Sequence, residues 1–86
     1  MGLEENRETI PVPRQSYESV NGQYYYILSY KPNSYTYKTS VYKCDEDGSI
    51  IEHMPIWSIA STDLDTLNNN HEMVVEKLAE IIRGAE

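Results

Sequence analysis

Two kinds of hydrophobic periodicity divide the chain. From Gln23 to Ile59 aromatic and aliphatic residues come in short runs separated by turn residues, and from Val74 to Ala85 they recur at helical spacing. The first run, Tyr24-Tyr25-Tyr26-Ile27-Leu28-Ser29-Tyr30, is aromatic and β-branched, which suits a pleated surface. Lys31-Pro32-Asn33-Ser34 reads as a turn, with Pro at its favoured second position. Tyr35 to Cys44 forms a second predicted strand. Asp45-Glu46-Asp47-Gly48 is a second turn, in which Gly48 supplies a positive φ. Ile50 to Ile59 reads as a third strand, whose later half is predicted as an edge or a bulge because Pro55 lacks a ladder donor.

Val74, Leu78, Ile81, Ile82 and Ala85 share one stripe of a C-terminal helix, while Glu72, Glu76, Lys77, Glu80 and Arg83 occupy the rest. Asn69, with Glu72 three residues on, offers a capping box, and Gly84 offers a stop. Ser61 to Leu67 reads as a capped turn or short helix leading in. Residues 1–22 are polar, broken by Pro11, Pro13, Asn21 and Gly22, and predict a mobile arm. Within it, Thr9 to Pro13 could lie extended along a sheet edge. The predicted fold class is therefore α+β. A three-stranded antiparallel meander packs on one C-terminal α-helix (βββα), with a single domain over residues 23–86.

Strand pairing then predicts the faces. With residue 30 opposite 35 and 44 opposite 49, one face holds Tyr24, Tyr26, Leu28, Tyr30, Tyr37, Thr39 and Val41 and receives the helix stripe. The other holds Tyr25, Ile27, Lys38, Ser40, Tyr42, Ile51, His53 and Trp57. A one-residue slip at the Gly48 turn would exchange the faces of the third strand. One helix cannot cover both sides of a sheet, so the second face is expected either to meet a partner or to be covered by the arm. Tyr and Trp offer large contact area there at low entropy cost.

Composition changes the picture mainly by exclusion. Among the 86 residues, 7 Lys and Arg stand against 14 Asp and Glu, a net charge of −7. Six of those acids, against two bases, fall in residues 63–86. Nucleic acid is an unlikely partner for such a chain, because phosphate binding needs clustered Lys and Arg. The same deficit argues against RNA stacking on the tyrosines, since residues 23–62 supply only Lys31, Lys38 and Lys43. No run approaches the ~18 apolar residues of a membrane span, and the first fourteen residues lack the pattern of a signal peptide. One cysteine excludes an internal disulfide framework and fits a reducing cytoplasm.

Candidate chemistry is sparse. Cys44 stands beside Asp45, Glu46 and Asp47, whose charges raise a thiol pKa and oppose nucleophilic use. His53 and His71 lack a serine–acid pattern, and with Cys44 they lack the short spacing of a zinc site. His71 is expected to be solvated. Asp45-Glu46-Asp47-Gly48 opens like a calcium loop, but the twelfth position is Ile56 where a bidentate Glu is needed. Four glycines form no phosphate loop. No cofactor is expected.

The strand–strand–strand–helix order is similar to the small βββα domain of HicB-type antitoxins and to short bacterial proteins of that layout. The likeness spans roughly residues 23–82. It is carried by Tyr24-Tyr25-Tyr26 opening a strand, by Val41 to Gly48 as strand plus acidic turn, and by Pro55 with Ile59 to Leu67 leading into the helix. It departs in having Asn68-Asn69-Asn70 at the helix start. The resemblance implies a non-enzymatic protein that binds a partner and self-associates. The residues expected to carry that binding are Tyr25, Tyr42 and Trp57, with Lys38 and His53 at the rim. One alternative is a small-ligand-binding protein with a tyrosine-lined pocket at a dimer interface. Another is a phage- or plasmid-encoded antagonist of a host enzyme.

Overall fold

A computed structural model describes residues 13–85. Four antiparallel strands in sequential order form one sheet: β1 (Arg14–Val20), β2 (Gln23–Asn33), β3 (Thr36–Cys44) and β4 (Trp57–Ser61). Two helices follow, α1 (Leu64–Glu76) and α2 (Leu78–Ala85). The α+β class and the antiparallel meander are as expected, but the counts differ by one strand and one helix.

The extra strand replaces part of the predicted arm. Arg14-Gln15-Ser16-Tyr17-Glu18-Ser19-Val20 has little apolar alternation, yet it pairs with β2 along its whole length, from Arg14↔Ser29 to Val20↔Gln23. Asn21 and Gly22, with φ of 53° and 87°, make the turn between them. Two residues of positive φ give the twist that joins antiparallel strands, and Asn-Gly is the sequence that tolerates it best. Residues 1–12, including most of the Thr9–Pro13 segment, lie outside the described residues.

The predicted strand at Ile50–Ile59 is displaced. Ile50 makes a single bridge to Cys44, and the chain then loops out to rejoin β3 at Trp57↔Val41. Pro55 bounds this loop, as its missing N–H requires. The acidic turn is closed by Gly48 N–H donating to Asp45 O (2.9 Å) and by the Asp45 carboxylate accepting from the N–H groups of Asp47 and Ser49. Gly48 has φ 88°. A Cβ there would also fall 2.5 Å from the Tyr17 hydroxyl, so the turn is packed onto β1 across the sheet.

The decisive difference is register. The β2–β3 hairpin turns at Ser34-Tyr35, with Asn33 opposite Thr36, and the ladder is irregular between Tyr30 and Asn33, around Pro32. Beyond that bulge Tyr26 faces Tyr42 and Ile27 faces Val41. Even positions of β2 thus share a face with even positions of β3, not with odd ones. Tyr25, Ile27, Ser29, Thr39 and Val41 lie under the helices and are buried. Tyr24, Tyr26, Leu28 and Tyr30, expected beneath the helix, point the other way.

The helical stripe starts earlier than expected. Asp63, not Asn69, caps α1: its carboxylate accepts from the Thr66 N–H at 2.7 Å and from the Thr66 hydroxyl at 3.0 Å. Leu67, His71 and Val74 of α1 are buried and continue into Leu78 and Ile82 of α2. Lys77 interrupts the helix, although its N–H still donates to Met73 O. Tyr25, Ile27, Val41, Val74, Leu78 and Ile82 form the core cluster.

Candidate functional site

The two faces of the sheet carry different chemistry. On the helix side, an imidazole occupies the apolar stripe of α1. His71 is fully buried. Its Nε2 lies 2.8 Å from the Ser16 hydroxyl of β1, and its Nδ1 lies 2.7 Å from the Ser29 hydroxyl of β2. Ser29 is in turn 2.8 Å from the Thr39 hydroxyl of β3. A neutral ring satisfies this chain in either direction: Ser16 donates to Nε2, Nδ1–H to Ser29 and Ser29 to Thr39, or Thr39 donates to Ser29, Ser29 to Nδ1 and Nε2–H to Ser16. Arg14 adds a hydrogen bond to the Asn68 side chain at 3.2 Å and an ion pair to Glu72 at 3.5 Å. Together these contacts latch the edge strand β1 to α1. Beside them runs a groove of about 240 Å³, lined by Arg14, Ser16, His71, Glu72, Val75 and Glu76.

A serine hydroxyl within reach of an imidazole nitrogen is the geometry of a nucleophile and its base. Such catalysis also requires a group that stabilises the imidazolium as it forms, usually a carboxylate on the far nitrogen. Here the far nitrogen meets a serine. Burial, and then the Arg14 charge, lower the His71 pKa from 6.5 to about 4 against a smaller opposing effect of Glu72. The arrangement works as a neutral hydrogen-bond relay.

This has a pH consequence. The folded ring stays neutral while the unfolded chain binds a proton below pH 6.5, so the unfolded state holds more protons between pH 6.5 and about 4. The contribution is complete above pH 6.5 and is lost as pH falls toward 4. At ~1.4 kcal/mol per unit the whole shift is worth about 3 kcal/mol. With the charged neighbours Arg14 and Glu72 open to water and screened, about 2 kcal/mol is expected. Urea denaturation at a series of pH values checks this, and a flat stability from pH 6.5 to 4.5 would contradict it.

The opposite face is covered by no described element. The helices contact β2, β3 and β4 from the other side. Across this open face run Tyr17, Tyr26 and Tyr42, one from each of three adjacent strands. Their ring centroids are 5.2 Å apart for Tyr17 and Tyr26 and 6.4 Å for Tyr26 and Tyr42. Partial burial, then the neighbouring tyrosines, push the Tyr26 and Tyr42 hydroxyls up from their ordinary pKa, so they remain neutral donors. Tyr17 is 54% exposed and Tyr24 38%. At one end the acidic turn rises over the face, leaving a cleft of about 240 Å³ between Tyr17, Tyr24 and residues 45–48. At the other end stands Lys38, in register with Tyr30 on β2 and Ala60 on β4.

The five residues singled out from sequence are not brought together. Lys38 and Tyr42 do lie on the open face. Tyr25 is 3% exposed in the core, and Trp57 packs half-buried against that core from β4. Tyr25 moves with the parity change at Pro32, and Trp57 moves because the chain loops out after Ile50 and rejoins β3 with Trp57 opposite Val41. His53 is exposed in the loop before β4, away from the ladder. Sequence reasoning misses Tyr17, which it places in the arm, and Tyr26, which it places on the helix side. The Asn21-Gly22 pair was the signal that would have recovered Tyr17. His71, expected in solvent, has no accessible surface.

Cys44 is buried, and burial followed by Asp45 pushes its thiol pKa up, which suits a packing role. Among the described residues, no group of three or more His, Cys, Asp or Glu is placed to hold a metal ion. No described helix is long and apolar enough to cross a membrane. Comparison with protein-family models, curated proteins and solved structures gives no match to this chain.

Proposed function

We propose that this chain is a non-catalytic binding module that docks another protein surface on the open face of its sheet. The observation that carries this reading is the contiguous Tyr17–Tyr26–Tyr42 row on a face that no described element covers. Tyrosines in contact across three strands present a rigid apolar surface with hydroxyls at its margin, the kind of surface that anchors protein interfaces. Lys38 and the acidic turn give it a polar rim. Arg14 beside the Ser16–His71 pair supports a structural role for that pair, because it opposes the charge a catalytic imidazole must take on.

A second reading is favoured by the cleft between Tyr17, Tyr24 and the acidic turn. A small polar ligand could be oriented there by tyrosine hydroxyls. Its 240 Å³ falls below the ~300–1,000 Å³ common for small-molecule sites, so it would need a second surface to close it.

The test compares two tyrosine variants of equal chemistry and different placement. Tyr17→Ser with Tyr42→Ser is expected to abolish association in sedimentation velocity and cross-linking, with circular dichroism unchanged. Tyr35→Ser, which removes an 84% exposed ring at the β2–β3 turn, is expected to leave it intact. Equal behaviour of the two would remove the open face as the docking surface.

A further inference from the structure

The open face has a relief and a polarity, and a single symmetry operation satisfies both. Along the strands it consists of four cross-strand rows. Ser19, Tyr24 and Cys44 form the row next to the acidic turn. The ridge Tyr17, Tyr26, Tyr42 comes next. Gln15, Leu28, Ser40 and Ser58 follow. Here Leu28 is half-buried and the short Ser40 is already closed to water by its neighbours, so this row is a shallow trough beside the ridge. Tyr30, Lys38 and Ala60 form the last row. Ridge and trough lie next to each other at the middle of the face, and carboxylates and ammonium lie at its two ends.

We propose that the occupant of this face is a second copy of the chain, related by a two-fold axis that lies between ridge and trough and runs across the strands. This rests on the open-face reading above and specifies its partner. Such an axis turns one sheet over onto the other, reverses the strand direction and keeps each strand opposite its own equivalent. Tyr26 then meets Leu28 of the second copy, and Tyr42 lies over the low position of the already covered Ser40, so each ridge faces the other's shallow trough. The same rotation carries Lys38 to the far end of β3, where Cys44 leads into the acidic turn. Its ammonium enters the cleft between Tyr17, Tyr24 and residues 45–48, facing ring surfaces and carboxylates together.

The pairing of charge is built into the single chain. Lys38 makes no ion pair among the described residues, and neither does Glu46 or Asp47. The Asp45 carboxylate is committed to the turn, which leaves Glu46 and Asp47 to meet Lys38. The net charge of −7 on each copy repels at long range but is screened over about 8 Å at physiological salt. A four-stranded face buries on the order of 1,000 Å² in total, the lower limit of a specific interface. The expected dimer therefore dissociates at micromolar concentrations.

The experiment is a charge exchange followed by sedimentation equilibrium in 150 mM NaCl, from low micromolar to near millimolar protein. Wild type is expected to pass from monomer to dimer. Lys38→Glu, and separately Glu46→Lys with Asp47→Lys, are each expected to weaken the dimer at least tenfold. Mixing the two variants is expected to restore a heterodimer with near wild-type affinity. All three positions are at the surface or turn, and circular dichroism confirms folding. A dimer lost in Tyr17→Ser with Tyr42→Ser but unaffected by either charge variant keeps the face and overturns this two-fold arrangement. A wild-type monomer at every concentration assigns the face to another occupant, a different protein or residues 1–12, and overturns the second copy. A dimer that survives the tyrosine changes overturns the open-face reading itself.

Discussion

Ile27→Ala is expected to cost the protein about 3 kcal/mol, while Leu28→Ala, one residue along the same strand, is expected to cost about 1 kcal/mol or less. Ile27 has no accessible surface and belongs to the core cluster with Val41 and Val74. Truncating such a side chain loses its transfer free energy and leaves a cavity, typically 2–5 kcal/mol in all. Leu28 stands on the uncovered face, where its methyl groups already meet water and no closed cavity forms. A chain of this size has on the order of 4–13 kcal/mol of total stability, so Ile27→Ala leaves a substantially unfolded population at 37 °C. Paired urea titrations measure both. A larger loss for Leu28 would place the helices on the wrong side of the sheet.

His71→Ala is expected to destabilise by about 3 kcal/mol at pH 7, an effect comparable to truncating a core aliphatic residue. It removes the hydrogen bonds to Ser16 and Ser29, unlatches β1 from α1 and leaves a void the size of an imidazole. His71→Leu fills the void and leaves Ser29 its bond to Thr39. It is expected to recover about half of the loss at neutral pH. More tellingly, it is expected to flatten the stability profile between pH 6.5 and 4, because the titrating group is gone. If His71→Leu keeps the acid-side slope of the wild type, the slope belongs to other groups and not to His71.

What was legible in the sequence was local. The aromatic run from Tyr24, the acidic turn ending at Gly48 and the stripe of Val74, Leu78 and Ile82 each carry their signal in neighbouring residues. What was not legible depended on one non-local choice and one polar substitution. Pro32 could equally begin a tight turn or sit at a bulge within a longer strand. The structure takes the second course, with β2 running on to Asn33, and every assignment of a β2 residue to a face reverses with it. His71 stands where an aliphatic residue would have extended the helical stripe back to Leu67. Its polarity hid the first two turns of the helix, since the partners that satisfy it, Ser16 and Ser29, lie 55 and 42 residues away. β1 was hidden differently. Its half-buried positions are Arg14, Ser16 and Glu18 before Val20, so the alternation carries almost no apolar signal, and the Asn21-Gly22 turn is its clearest mark.

The strand order has one more consequence, for how large an assembly this chain can make. Among the described residues, the sheet ends in β1 on one side and β4 on the other. β4 has five residues and starts two residues after Pro55, and β1 begins directly after Pro13 and carries Arg14 and Glu18. Short, charged and proline-bounded edges are poor templates for adding further strands. Lateral growth into fibres is therefore suppressed, even though the sheet is rich in the aromatic residues that ordinarily promote it. Contact through the broad surface alone closes on itself after two molecules.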